Sequence, residues 1–238
     1  DLSQAIENAQ TGLNGDSKLA TAKDQADQNI AKLPNLSDGQ KDIAKQNISN
    51  AQTTSDVQQA EQTAKTWNDN LGKLNQAISA AKKAKTSSNY TEADSGQQKA
   101  LDDALSEAEK AKNSNDPSAV GTATTDLQAA QSGLNGDSKL ATAKDQADQN
   151  IAKLPNLSDG QKDIAKQNIS NAQTTSDVQQ AEQTAKTWND NLGKLNQAIS
   201  AAKKAKTSSN YTEADSGQQK ALDDALSEAE KAKNSNDP

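Results

Sequence analysis

Cysteine, histidine, methionine, phenylalanine and arginine are all absent from the 238-residue chain. Without cysteine or histidine there is no thiol nucleophile, no imidazole base and no zinc site of the usual ligand set. Carboxylates and lysines remain, but they are spread over every segment, so no catalytic set, cofactor or metal site is expected. The chain has no run of 18 apolar residues and hence no membrane span. It also has no signal-type segment and no initiator methionine, and it reads as an internal piece of a longer protein. Its only base is lysine and its net charge is -7, whereas a nucleic-acid surface calls for a basic stripe with interleaved aromatics. A lack of cysteine fits a cytosolic protein and a disulfide-free bacterial surface protein equally. Leucine, isoleucine and valine are scarce and mean hydropathy is -1.01, a profile that borders on disorder. The charge is mixed, however, and alanine is plentiful, so narrow helical bundles remain available where a large globular core does not.

What is present is periodic on two scales. Residues 13–117 recur without one substitution as residues 134–238, a period of 121. Such identity marks a tandem array, in which a spacer or a multivalent binder is more at home than an enzyme. Within the repeat, the stretch from Ser55 to about Lys85 carries Val57, Ala60, Ala64, Trp67, Leu71, Leu74, Ile78 and Ala81 at spacings of three or four. That pattern is one apolar stripe on a continuous helix about 45 Å long. A three-helix domain of about 60 residues is shorter than this, so the helix is expected to serve two bundles and join them, with Gly72 at the seam.

Other elements follow from their punctuation. One helix is expected from about Asp16 to Leu33, stopped by Pro34, and a second from Ser37, which forms a capping box with Gln40. The long helix is expected to be capped by Ser55 with Gln58 or by Thr54. After a loop over Thr86 to Asn89, a fourth helix starts between Thr91 and Ser95 and buries Leu101, Ala104, Leu105, Ala108 and Ala111. Asp116 and Pro117 open a fifth, carrying Val120, Ala123, Leu127 and Ala130, and Gly133 suggests a left-handed stop. Lys82, Lys83 and Lys85 oppose the negative end of the long helix's dipole.

Two families share these patterns. The residues Tyr90-Thr91, Ser95, Leu101, Ala104-Leu105, Ala108, Asn115-Asp116-Pro117, Val120, Ala123, Leu127 and Leu134 resemble the FIVAR repeat of Gram-positive surface proteins. Leu13-Asn14-Gly15-Asp16, Leu19-Ala20-Thr21-Ala22-Lys23, Leu36-Ser37, Gln40-Lys41, Ile48, Ala51 and Val57 resemble the GA-type three-helix module. Alternation of the two resembles the giant staphylococcal extracellular-matrix-binding surface proteins. The resemblance implies an all-α fold, an elongated rod of tandem three-helix bundles joined by shared long helices. It further implies an extracellular location, with cell-wall anchoring through regions outside this chain, and host matrix protein or serum albumin as partners. Albumin-binding members use an apolar, aromatic surface around the second helix. Here Gly39-Gln40-Lys41-Asp42 and Lys45-Gln46-Asn47 are polar and offer no aromatic anchor.

The expected organisation is therefore residues 1–12 as the last helix of a preceding bundle, 13–71 as a GA-like bundle and 72–133 as a FIVAR-like bundle. Residues 134–192 repeat the first type, and 193–238 repeat the second without its last helix. The residues singled out are structural: Trp67 and Trp188 as core, Gly72 and Gly193 as seams, and Tyr90 and Tyr211 closing the end of the second bundle type. Neighbouring repeats are the principal partners of each bundle, within a monomer whose unpaired helix 1–12 offers end-to-end association with another copy. The asparagine sequons at Asn35, Asn47 and Asn89 read as chance in an Asn- and Ser-rich chain, and the pair Asp102-Asp103 as an exposed helix face. The reading is a spacer that projects a distal adhesive region; the alternative is a multivalent adhesin.

Overall fold

The computed structural model describes residues 1–237, and those residues contain helices and no strand. They fall into two compact units, one formed by Asp1–Tyr90 with Asp94–Leu134 and the other by Thr91–Ala93 with the chain from Asn135 on. In the first unit α1 (Leu2–Thr11) is followed by α2 (Gly15–Ala31), α3 (Asp38–Asn50) and α4 (Thr54–Ala84). After them come the four-residue α5 (Ser88–Thr91), α6 (Ser95–Lys112) and α7 (Pro117–Ser132). The second unit repeats this order as α8 (Gly136–Ala152), α9 (Asp159–Asn171), α10 (Thr175–Ala205), α11 (Ser209–Thr212) and α12 (Ser216–Lys233). The further helix start expected at Pro238 lies outside the described residues.

In the first unit α2, α3 and the front of α4 pack around Ala26, Ile30, Ala44, Ile48, Val57 and Ala64, with Leu19, Ala22, Leu33 and Ala60 at the margin. With Ala51, four of the seven central residues are alanine, which brings the helices close on little apolar volume. The rear of α4 packs with α6 and α7 through Leu74, Ala77, Ile78 and Ala81, Leu101, Leu105 and Ala108, and Val120, Ala123 and Leu127, all buried. One helix thus belongs to both bundles of the unit.

Several ends differ from the sequence reading. The long helix begins earlier than Ser55: Thr53 is its cap and accepts from Asp56 N–H, while the Asp56 carboxylate accepts from Thr53 N–H at 3.0 Å. Asp56 also accepts from Gln52 N–H at 3.3 Å. A carboxylate that collects two amides at a helix start outcompetes the neutral Gln58 of the alternative register. Helix α2 ends at Ala31, two residues before Leu33, whose amide instead bonds Ile30 O at 3.1 Å. Gly133 is no left-handed stop, since its φ of -77° is right-handed and its amide donates to Ala129 O. Ser88 and Asn89, expected within a loop, lie in α5.

Helix α4 continues without interruption through Gly72, and α10 through Gly193. The glycine has a specific neighbour. Asn35, in the α2–α3 link, lies against α4 and donates to both the side chain and the backbone of Asn68: Asn35 N–H donates to Asn68 Oδ1 at 2.9 Å and Asn35 Nδ2 to Asn68 O at 3.0 Å. A Cβ at Gly72 would stand 2.9 Å from that same Nδ2. Asn156, Asn189 and Gly193 repeat the arrangement, with hydrogen bonds of 2.9 and 3.1 Å. The missing side chain gives the amide access to a helix carbonyl, at the cost of about 1 kcal/mol in helix propensity. Gly72→Ala should therefore bring no gain in the native background, because the displaced amide loses a bond worth about 1 kcal/mol. In an Asn35→Ala background it should stabilise by about 1 kcal/mol. Denaturant unfolding of the four chains in the cycle measures the coupling.

Candidate functional site

The residues singled out in the sequence do not converge on a cleft. Among the described residues no group of three or more histidine, cysteine, aspartate or glutamate side chains is placed to hold a metal ion, and no helix is long and apolar enough to cross a membrane. Trp67, Gly72, Trp188 and Gly193 lie instead on the middle of α4 and α10, where one bundle meets the next within a unit, while Tyr90 and Tyr211 lie beyond the far ends of these helices; the junction is the candidate functional feature.

Its centre is Gln40, almost fully buried at 1% exposure. Gln40 completes the capping box of α3: its Oε1 accepts from Ser37 N–H at 2.9 Å, and its own N–H donates to Ser37 Oγ at 3.3 Å. The remaining side-chain atom, Nε2, crosses to the second bundle and donates to Lys112 O at 3.2 Å and Ser114 O at 2.8 Å. Those carbonyls sit at the C-terminal end of α6, where helix geometry leaves oxygens without intrahelical donors. One amide therefore satisfies the start of a helix in one bundle and the end of a helix in the other. Gln161 does the same in the second unit, with Lys233 O at 3.1 Å and Ser235 O at 2.7 Å.

Trp67 lies beside this junction, 3% exposed, and Leu36, Leu71 and Leu74 near it in sequence or fold are also buried. In the second unit Trp188 forms a cluster with Leu157 and Leu192, flanked by Leu154 and Leu195, separate from the alanine-rich core of that unit. The tryptophan thus fills the space under the link between the first two helices of the bundle. The indole N–H of Trp67 is buried without a hydrogen-bond acceptor, which subtracts about 1–3 kcal/mol from what its area contributes.

The far end of α4 carries a second joint. Tyr90 Oη donates to the Asp102 carboxylate at 2.9 Å, Lys85 Nζ pairs with the same carboxylate at 2.8 Å, and Nζ stands 5.5 Å from the centre of the Tyr90 ring. Gln98 Nε2 donates to Tyr90 O at 2.8 Å, and Lys82 pairs with Glu109 at 2.6 Å. The lysines at the end of α4 therefore tie it to α6 as well as opposing its dipole. The sequence reading placed Asp102 on an exposed helix face; it is the hub of this corner. Lys85, bonded to Asp102, holds the carboxyl below the usual carboxylate range, with help from the Tyr90 hydroxyl. The bond to Asp102 raises the Tyr90 phenol, and Lys85 offsets part of the effect; Lys85 itself is raised by Asp102. Asp223, Tyr211 and Lys206 are shifted in the same directions.

The pH dependence of this corner follows from those directions. Asp102 contributes fully above about pH 4, and its share is lost as pH falls through its lowered value. Lys85 and Tyr90 contribute fully below about pH 10, and their share is lost as pH rises through their raised values. Phenolate absorbance should titrate above the ordinary midpoint of about 10. Asp102→Asn with Asp223→Asn should lower the midpoint of both tyrosines, and an unchanged midpoint would remove Asp102 from its role.

With this geometry in hand, the relatives are informative. The GA module family model matches residues 16–70 and 137–191, and the FIVAR domain model matches residues 70–135 and 191–238. The two models meet inside α4 and inside α10. The extracellular matrix-binding protein EbhA of Staphylococcus aureus strain N315 is 35% identical over 229 residues, which cover 94% of this chain and 3% of that protein. The extracellular matrix-binding protein ebh of strain MRSA252 is 35% identical over 232 residues, covering 95% of this chain and 2% of that protein. The chain thus spans only a few per cent of the length of these relatives. The crystal structure of the EbhA 756–1003 domain from Staphylococcus aureus superposes with a TM-score of 0.70 at 30% identity, covering 77% of each chain. In sequence, repeat order and fold, the chain belongs to the family of GA and FIVAR repeat proteins that includes the staphylococcal extracellular matrix-binding proteins.

Proposed function

We propose that the chain is a spacer segment of a repetitive Gram-positive cell-surface protein, one that holds a distal adhesive region away from the cell wall. The observation that carries this reading is the junction: a helix shared by two bundles and locked by one buried glutamine, present in both repeats with the same partners. A joint of this kind adds length per repeat and resists bending between the bundles it connects. In this reading residues 13–71 and 134–192 are the GA-like bundles, 72–133 the FIVAR-like bundle, and 193–238 its second copy. Trp67, Gly72 and Tyr90, with Trp188, Gly193 and Tyr211, have structural roles, and anchoring to the wall belongs to regions outside this chain.

A second reading is favoured by the relatives' names, which describe them as extracellular matrix-binding. In it each repeat binds a host protein weakly, and affinity accumulates through multivalency. The outer face of α3 argues against a strong site, because Lys41, Asp42, Lys45, Gln46 and Asn47 form no aromatic or aliphatic anchor of the kind that dominates binding energy.

Two measurements separate the readings. Small-angle scattering of chains with one, two and three 121-residue units should give a maximum dimension that rises in proportion to unit number. A compact profile that does not lengthen would contradict the spacer. Passage over immobilised collagen, laminin and serum albumin should show no saturable retention that grows with unit number; such retention would establish the adhesin in its place.

A further inference from the structure

The capping box that opens α10 leaves one amide for another part of the chain to satisfy. Thr174 Oγ1 accepts from Asp177 N–H at 3.0 Å, and the Asp177 carboxylate accepts from Thr174 N–H at 3.1 Å and from Gln173 N–H at 3.3 Å. The amide of Thr175, the first residue of α10, has no acceptor within the helix and none in the box. Glu92, in the turn between α5 and α6, meets it: Glu92 Oε2 accepts from Thr175 N–H at 2.9 Å and from Thr175 Oγ1 at 2.6 Å. Both residues belong to the second unit, which takes in Thr91–Ala93 as well as the chain from Asn135 on.

The contact is fitted on both sides. One carboxylate oxygen takes two donors from a single residue, and a negative charge placed at a helix start also meets the positive end of the helix dipole. Glu92 is half-buried and Ala93 beside it is buried, so the segment that carries the carboxylate is seated. The Thr175 hydroxyl and amide hold the Glu92 carboxyl below the usual carboxylate range, with help from Lys139 and opposition from Asp177. Glu92 belongs to the first copy of the repeated sequence and Thr175 to the second. The step between them is 83 residues, and in a tandem array it recurs wherever one copy follows another.

We propose that Glu92 is a clasp by which one repeat completes the cap of the long helix in the repeat that follows, so that the partner fitted by the α5–α6 turn is the next copy's helix start. The proposal rests on the spacer reading and extends it, since a cap supplied by a neighbour couples the stability of successive repeats. Amide-resolved hydrogen exchange on the full chain tests it. The first turn of α4, which has the same local box, serves as the internal reference. Glu92→Ala should speed exchange in the first turn of α10 by about tenfold and leave the first turn of α4 unchanged. Glu92→Gln keeps an acceptor and should recover part of the protection. Thr175→Val should speed exchange in the native chain and add nothing further in the Glu92→Ala chain. The clasp is overturned by unchanged exchange in α10 after Glu92→Ala, by equal acceleration in α4 and α10, or by additive effects of the two substitutions. The spacer reading fails on a different measurement, a scattering profile that does not lengthen with unit number, so the two are judged separately.

Discussion

A buried side-chain amide that must satisfy three groups at once constrains the fold more than any apolar contact does. Gln40 has no water to fall back on, so its position fixes both the start of α3 and the end of α6. Its donors end on carbonyls 72 and 74 residues away, in a bundle that α3 does not otherwise help to build. Leaving such a group unmatched costs about 1–3 kcal/mol, a large share of the stability of a small alanine-cored bundle. The shared helix supplies the other half of the constraint. Because α4 runs unbroken from one core into the next, the Gln40 bonds form only when both bundles are seated on it in one register, and Asn35 against Gly72 holds the α2–α3 link to that register.

The identical repeats separate local from tertiary causes. The capping boxes at Ser37 and Thr53 recur at Ser158 and Thr174, and the ion pair of Lys85 with Asp102 recurs between Lys206 and Asp223. These depend on nearby residues and so repeat with the sequence. Burial of Leu74 and Leu101 does not recur at Leu195 and Leu222, because it depends on α7. Helix formation here is thus a property of the segment, and dryness of the core is a property of the set of three. Local contacts of this sort close short loops first, which favours rapid folding of each bundle.

Much of this was legible in the sequence. The three-and-four spacing from Val57 to Ala81 gave one long helix, Pro34 and Pro117 marked a stop and a start, and Ser37 with Gln40 announced a cap. What was not legible required distance or competition. The second role of Gln40 joins residues with no pattern linking them. The start of α4 sits among Thr53, Thr54 and Ser55, three hydroxyls of which only Thr53 has an aspartate three residues on. Gly133 follows a helix as left-handed glycines do, yet its amide finds Ala129 O from a right-handed conformation. Gly72 signalled a special position on α4, but its neighbour Asn35 is supplied by a link elsewhere in the chain.

The central claim is that Gln40 couples two bundles and does more than cap one. Gln40→Glu separates these roles, since a glutamate at this position keeps the cap but has no donor for Lys112 O and Ser114 O. Amide-resolved hydrogen exchange on that variant is the direct measurement. The account predicts that α6 loses protection by about tenfold to a hundredfold while the first turn of α3 keeps its own. Undiminished protection of α6, or an equal loss in α3 and α6, would contradict it.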